Sequence, residues 1–273
     1  MSDTQSPDGK KRSLPRGWSD NPFEAPTAHV EDARRPIDDA LADEPNQLAA
    51  GRGLAWWSEG WHLFREATGL WIGIGFVMLL ISVVVGLIPI IGNLGSLLFP
   101  VFGAGLMLGC HSLDSGGELH FGHLFAGFQS HCGRLLAVGL LYLLGVIAMV
   151  VIVFALGLGG GFAASAVGGG EDAAVLSGLL GGLVGLLLII PLAMSVWFAP
   201  ALVALHDLTA LEAMKQSFRG CLRNVLPFLI YSLVFLGLAV LATLPVALGW
   251  LLLTPVTVCS VYASYRDILT NRS

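Results

Sequence analysis

A chain of 273 residues that is 55% hydrophobic, only 12% charged and of positive mean hydropathy (+0.77) is too apolar for an ordinary soluble domain, so most of it belongs in a bilayer. Its net charge of −5 speaks against a nucleic-acid partner. The four cysteines, Cys110, Cys132, Cys221 and Cys259, show no CxxC spacing and read as reduced, small apolar residues rather than a disulfide framework.

Residues 1–53 are polar and hold 10 of the 19 acidic residues and six of the 13 prolines, with Trp18 and Phe23 as their only aromatics. So little apolar surface cannot offset chain entropy, which predicts a disordered cytoplasmic tail. Within it NPFEAPTAHVED, residues 21–32, resembles the Asn-Pro-aromatic-x-x-Pro motif that precedes several unrelated bacterial membrane domains. No apolar core with a small-residue cleavage site follows a basic start, so the first span is expected to act as its own uncleaved insertion signal.

From Leu54 to 270 the pattern is that of a membrane domain. LAWWSEGWHLF sets Leu54, Trp57, Trp61 and Phe64 at helical spacing on one face, with Ser58, Glu59, His62, Arg65 and Glu66 elsewhere, which suits a helix lying among the headgroups. Leu70 to Ile88 comes next, and a segment of that length at about 1.5 Å per residue reaches roughly 28 Å, one hydrocarbon core. By the same reading six spans are expected, at about 70–88, 94–111, 134–158, 173–205, 225–244 and 248–265. A second short amphipathic helix is expected from Phe121 to Gly133. The third follows the fourth span: Thr209 and Glu212 form a capping box, and Leu211, Met214, Phe218, Cys221, Leu222 and Val225 share a face that Lys215, Arg219 and Arg223 avoid. Pro227, just after Asn224, marks the start of a new helix.

These pieces suggest three copies of one unit. Phe64, Phe128 and Phe218 each precede a span, with apolar residues seven positions before and after; Pro100, Pro200 and Pro255 each lie in an even-numbered span, with a small residue four positions on. The chain is therefore expected to be all-α: a polytopic bundle of six transmembrane helices in three pairs, each pair preceded by an interfacial amphipathic helix. With cytoplasmic termini, all 14 Lys and Arg fall inside, as the positive-inside rule requires. Copies of two spans each share one orientation, so a symmetry axis would lie along the membrane normal.

GLAWWSEGWHLF, the HLFAGF of residues 123–128, FAPALVALHD with SFRGCLRNVLPF, and the terminal YASYRDI together resemble an uncharacterised family of six-span proteobacterial inner-membrane proteins. More distantly, the layout is similar to YciC-like proteins and to the membrane domain attached to some glycerophosphodiester phosphodiesterases. The resemblance implies location and topology; it implies no activity.

Ionisable residues inside spans usually betray intramembrane enzymes and proton-coupled carriers, since each costs about 2.5–3.5 kcal/mol to insert. The expected spans hold none in their interiors, and no phosphate loop, HExxH or carboxylate pair is present. Neither a catalytic residue nor a cofactor is expected. His120, His123 and His131, with His111, Cys110 and Cys132 near in sequence, are the weak metal candidates; an i, i+3 spacing on a helix would let His120 and His123 share a metal. Pro100, Pro200 and Pro255 could expose backbone to a ligand or simply shape packing. Lys215, Arg219 and Arg223 are candidate lipid contacts. Gly178 with Gly182 and Gly181 with Gly185 form two GxxxG patterns, for packing within the chain or against a second copy. Two function classes follow: a non-enzymatic membrane-organising or envelope-associated protein, or a transporter or lipid-handling protein with its site at the kinked spans.

Overall fold

The computed structural model describes residues 40–87, 89–129, 131–160, 166, 171–244 and 248–271. The motif expected at residues 21–32 lies outside them, as does most of the glycine-rich stretch before Glu171. The fold is helical: α1 Arg52–Glu66, α2 Thr68–Gly86, α3 Pro89–Asp114, a 3-10 turn Phe121–Phe125 running into α4 Ala126–Gln129, α5 Cys132–Phe154, α6 Glu171–Trp197, α7 Ala199–His206, α8 Ala210–Arg223, α9 Val225–Thr243 and α10 Gly249–Leu269. Five segments are long and apolar enough to cross a membrane: Thr68–Gly86, Leu97–Asp114, Cys132–Gly157, Val175–His206 and Val225–Thr243. Among the described residues the helices thus fit an integral membrane protein.

The stretch read as the sixth span, 248–265, is α10, which is absent from those five. It carries Pro255, has Arg266 and Asp267 in its last turn, and has 11 of its 21 residues buried. A helix enclosed by protein needs small and hydroxylic packing residues rather than lipid-facing leucines, so its composition is less apolar. α1, α9, α2 and α3 pack against it.

α1 departs from the expected orientation. Leu54 is 59% and Trp61 42% exposed, whereas the buried face comprises Gly53, Trp56, Trp57, Gly60, Leu63 and Phe64. The reason is a close backbone approach: a Cβ added at Gly60 would stand 2.6 Å from the backbone nitrogen of Ser260, and one at Gly53 would collide with the Pro227 carbonyl. The two glycines, seven residues apart, share a face and seat α1 against α10 and α9. Trp57 then stacks on Tyr231 (centroids 4.8 Å apart, planes at 14°), and the Tyr231 hydroxyl pairs with Ser260 Oγ at 2.8 Å. The expected helix over 121–133 is also shorter than its pattern: it ends at Gln129, and His131 takes a left-handed conformation (φ 61°) before α5 begins.

Residues 40–48, within the stretch expected to be unfolded, lie against the end of α10. Leu41 bridges Thr270, Ala42 N–H donates to Leu269 O at 2.9 Å, and the Asn46 amide donates to the Asp267 and Thr270 carbonyls, both at 3.0 Å. Buried Asn224, at the α8–α9 junction, accepts from Leu48 N–H at 2.9 Å and donates to Asn46 O at 2.8 Å. A polar segment with few apolar groups is ordered here because it caps backbone groups that α10 leaves open at its C-terminus. Replacing Gly60 by valine should lower stability by about 1–3 kcal/mol, the usual cost of overpacking, while Gly69→Ala, whose added methyl meets open space, should leave the thermal unfolding midpoint in detergent unchanged or raised.

Candidate functional site

The polar residues of α1, α3 and α10 meet at one end of the bundle. Arg52 Nε donates to Asp267 Oδ2 at 2.7 Å and its Nη2 to Glu59 Oε1 at 2.7 Å; Trp56 Nε1 donates to the same Asp267 oxygen at 2.9 Å. Arg266 reaches Glu59 Oε2 at 2.9 Å and Asp114 Oδ1 at 2.7 Å. The Tyr262 hydroxyl donates to Asp114 Oδ2 at 3.1 Å and lies 3.2 Å from His111 Nδ1, while Tyr265 pairs with His206 of α7. Two guanidinium groups and three carboxylates are thus interleaved, so each ion faces the opposite charge. Such a lattice contributes little net stability, yet losing one member strands a partly buried charge. Its effect is positional: it fixes the register of α1 and α3 on α10. Sequence reading misses it because its members stand 148 to 215 residues apart for the contacts that cross helices to α10; the signal available is the YASYRDI stretch, where two tyrosines, an arginine and an aspartate close an apolar helix.

The three candidate prolines are buried, one each in α3, α7 and α10. Pro200 sits in the first turn of α7, after α6 breaks at Phe198. The break is stitched from outside: Phe198 N–H donates to Ser217 Oγ at 2.9 Å, and that hydroxyl donates to Met194 O at 2.6 Å. Ser217 is fully buried and stands where the Phe198-to-Met194 backbone hydrogen bond would be. Near Pro255 the carbonyl of Leu251, which a proline four residues on cannot satisfy, lies against Gly75. Neither of the two described surface grooves is lined by any of the three prolines.

Residues 127–267, just over half the chain, match a family described as a domain of unknown function, DUF7847. The chain belongs to the DUF7847 family. A probable inner membrane protein of Burkholderia thailandensis is 33% identical over 248 residues, covering 81% of this chain and 92% of that protein. No solved structure matches. The expectation of an uncharacterised inner-membrane family is met at that level. The DUF7847 stretch begins at Gly127, packed on the Val101 backbone, and ends at Asp267; it therefore contains Tyr262, Arg266 and Asp267 of the lattice but leaves Arg52, Glu59, His111 and Asp114 to the preceding helices.

The histidines separate. His123 Nδ1 accepts from the backbone N–H of His120 at 3.0 Å, and the two rings stack with centroids 5.8 Å apart. His131 instead pairs with Asp207 (Nε2 to Oδ1, 2.6 Å). Among the described residues no three His, Cys, Asp or Glu side chains stand close enough to hold a metal ion. Cys110 meets Cys259 rather than Cys132, Sγ to Sγ 3.9 Å, both thiols free and buried. Cys221 is held by Met194 O at 3.7 Å, and burial pushes its thiol up to about 12.

The glycine patterns divide too. Gly181 and Gly185 face α5 and the π-helical turn Ala155–Gly159 that ends it, while Gly178 and Gly182 look onto open space. In α8 the capping box is present, with Glu212 N–H donating to Thr209 Oγ1 at 3.4 Å and the Thr209 hydroxyl to Glu212 Oε2 at 2.7 Å; this bond holds the Glu212 carboxyl below its ordinary range. The buried face of α8 is Ala213, Ser217, Gly220 and Cys221, leaving Leu211 and Leu222 exposed. Lys215 and Arg219 stand beside them, whereas Arg223 pairs with Glu44 at 2.8 Å and donates to Pro45 O at 3.0 Å.

Two outcomes are expected. Ser217→Ala leaves Phe198 N–H and Met194 C=O without their bridge, and should cost about 1–3 kcal/mol, with faster amide exchange at Phe198 as the specific readout. The Arg134 guanidinium, bonding Asp207 through its side chain and its carbonyl, holds that carboxyl below the usual range. A depressed carboxylate stabilises above its unfolded value, about 3.9, and the contribution disappears as pH falls through the lower folded value. A melting-point titration from pH 7 to 3 should thus fall more steeply in the wild type than in Asp207→Asn.

Proposed function

We propose that the protein is a non-enzymatic integral protein of the bacterial inner membrane that organises the bilayer or associates with the envelope. The observation carrying this reading is where charge stands: Arg52 and Glu59 of α1, Asp114 of α3, and Arg266 and Asp267 of α10 are spent on one another, and the interiors of the five apolar segments hold no charged residue. The name of the Burkholderia relative supports the inner membrane.

In this reading the chain crosses six times in three pairs, with α10 as the sixth crossing and both termini in the cytoplasm. Support for the orientation is the distribution of all 14 Lys and Arg. Support for amphipathic helices at the inner surface comes from α8, where exposed Leu211 and Leu222 flank Lys215 and Arg219. The repeat is supported by the burial of its three prolines in three inner helices. The likeness of layout to YciC-like membrane domains belongs to the same proposal. Gly178 and Gly182 offer their open face to a second copy.

A lipid-handling role is the second reading. It is favoured by an apolar groove of about 560 Å³ between α1, α9 and α10, whose lining includes Val256 but not Pro255. Reporter fusions test the arrangement: green fluorescent protein after Ser273 should fluoresce and alkaline phosphatase inserted at residue 166 should be active, whereas the reverse pattern overturns the orientation.

A further inference from the structure

We propose that α8 is a docking face for anionic glycerophospholipids of the cytoplasmic leaflet, with Leu211 and Leu222 among the acyl chains and Lys215 and Arg219 on the lipid phosphates. The inference rests on the membrane placement proposed above and gives the bilayer-organising reading its lipid class.

Position is the first support. Both ends of α8 are tied to helix ends on the cytoplasmic side of that arrangement. Two residues before its N-cap Thr209, Asp207 pairs with His131 and Arg134 at the start of α5. At the other end, a Cβ added at Gly220 would stand 3.1 Å from the side chain of Ile268, near the C-terminus of α10, and Arg223 bonds Glu44 and the Pro45 carbonyl. The helix therefore runs along the rim of the bundle. Beside it, exposed Trp197 at the end of α6 meets Phe228 at the start of α9 edge to face (centroids 6.1 Å apart), and tryptophan favours headgroup depth.

The second support is how the exposed side chains are laid out. Leu211 and Leu222 are more than half exposed, and the apolar surface continues through Val225, Leu226 and Leu229 into the α9 candidate span. That continuity sets Leu222 at the edge of the hydrocarbon. At about 100° per residue, Leu222 lies about 20° around the helix from Leu211, Lys215 about 40° and Arg219 about 80°, clear of the buried face formed by Ala213, Ser217, Gly220 and Cys221. The two cations thus border the apolar edge, where phosphates stand.

The third support is free charge. Lys215 and Arg219 are exposed and have no ion-pair partner among the described residues, whereas Arg223 is spent on Glu44. Glu212, the one acid of α8, accepts from the Thr209 hydroxyl at 2.7 Å and from its N–H at 3.3 Å, and acts on Lys215 only through space. Cations four residues apart, with Cβ atoms about 5–6 Å from each other, match neighbouring phosphodiester oxygens, Arg219 as a fork and Lys215 as a point charge. A zwitterionic lipid carries its own ammonium beside the phosphate and gains less from them.

The test uses the full chain transferred from nanodiscs of equimolar phosphatidylglycerol and phosphatidylcholine into mild detergent, followed by native mass spectrometry. Wild type should retain phosphatidylglycerol in preference. Lys215→Gln with Arg219→Gln should lower the retained ratio about 25-fold, fivefold for each cation near an anionic surface. Lys215→Arg with Arg219→Lys keeps both charges and should keep the ratio; Leu222→Ser should reduce both lipids alike. All these positions are exposed, so melting points should hold. Excess inorganic phosphate should leave the lipid bound; displacement by phosphate alone would mean an anion site and refute the docking face. The proposal is also overturned if wild type shows no preference, if the double glutamine variant retains it, or if Arg223→Gln abolishes it equally, which would mark a general charge effect. Orientation is read separately by the fusions in cells, so loss of the lipid preference leaves that reading standing.

Discussion

The fold depends on how closely the backbone of α1 can approach α10. At Gly60 there is no room for even a methyl group before the Ser260 backbone, and this contact brings Trp56 and Trp57 onto the aromatic rings of α9. Dispersion and area burial supply the attraction, but neither has direction. Register comes from the ions at the end of the same contact, where Asp267 receives Arg52 and Trp56 while Arg266 is divided between Glu59 and Asp114. The glycine sets the distance and the ion lattice sets the sliding position, so a single arrangement satisfies both.

The same economy explains the prolines. A break in an apolar helix frees backbone groups that lipid cannot satisfy, so it survives where protein supplies partners. Two residues before Pro200, Ser217 supplies them at the α6–α7 break, by donating to Met194 O and accepting from Phe198 N–H. Past the break, α7 packs its small apolar face, Ala199 to Val203, into the core. Pro200 is thus part of a joint between helices that is closed by a third.

Much of this architecture is legible in the sequence. Long apolar runs locate the helices, and the Thr209–Glu212 box and Asn224–Pro227 break mark both ends of α8, because caps and prolines act through neighbours a few residues away. The face that α1 buries is less legible: periodicity places Trp57 and Phe64 correctly, but Trp61 and Leu54 give way to Gly53, Trp56 and Gly60. Hydrophobic periodicity ranks large side chains above glycine, whereas at a close helix contact the missing side chain is the feature that packs. The histidine cluster fails for a related reason. Nearness in sequence suggests one site, but the left-handed turn at His131 sends it to Asp207, leaving His120 and His123 together. The ion lattice lies beyond any local pattern, since its partners are separated by whole pairs of helices.

One consequence follows from the burial of α10 for how the molecule is made. The helix against which α1, α2, α3 and α9 pack emerges from the ribosome after them. Until then α1 has neither the Ser260 backbone to seat on nor Asp267 to hold Arg52, and residues 40–48 have no helix end to clasp. The earlier apolar segments have, at that stage, only their own surfaces to hold them in the bilayer. Arrival of α10 then supplies the contacts that lock α1 and residues 40–48 in place.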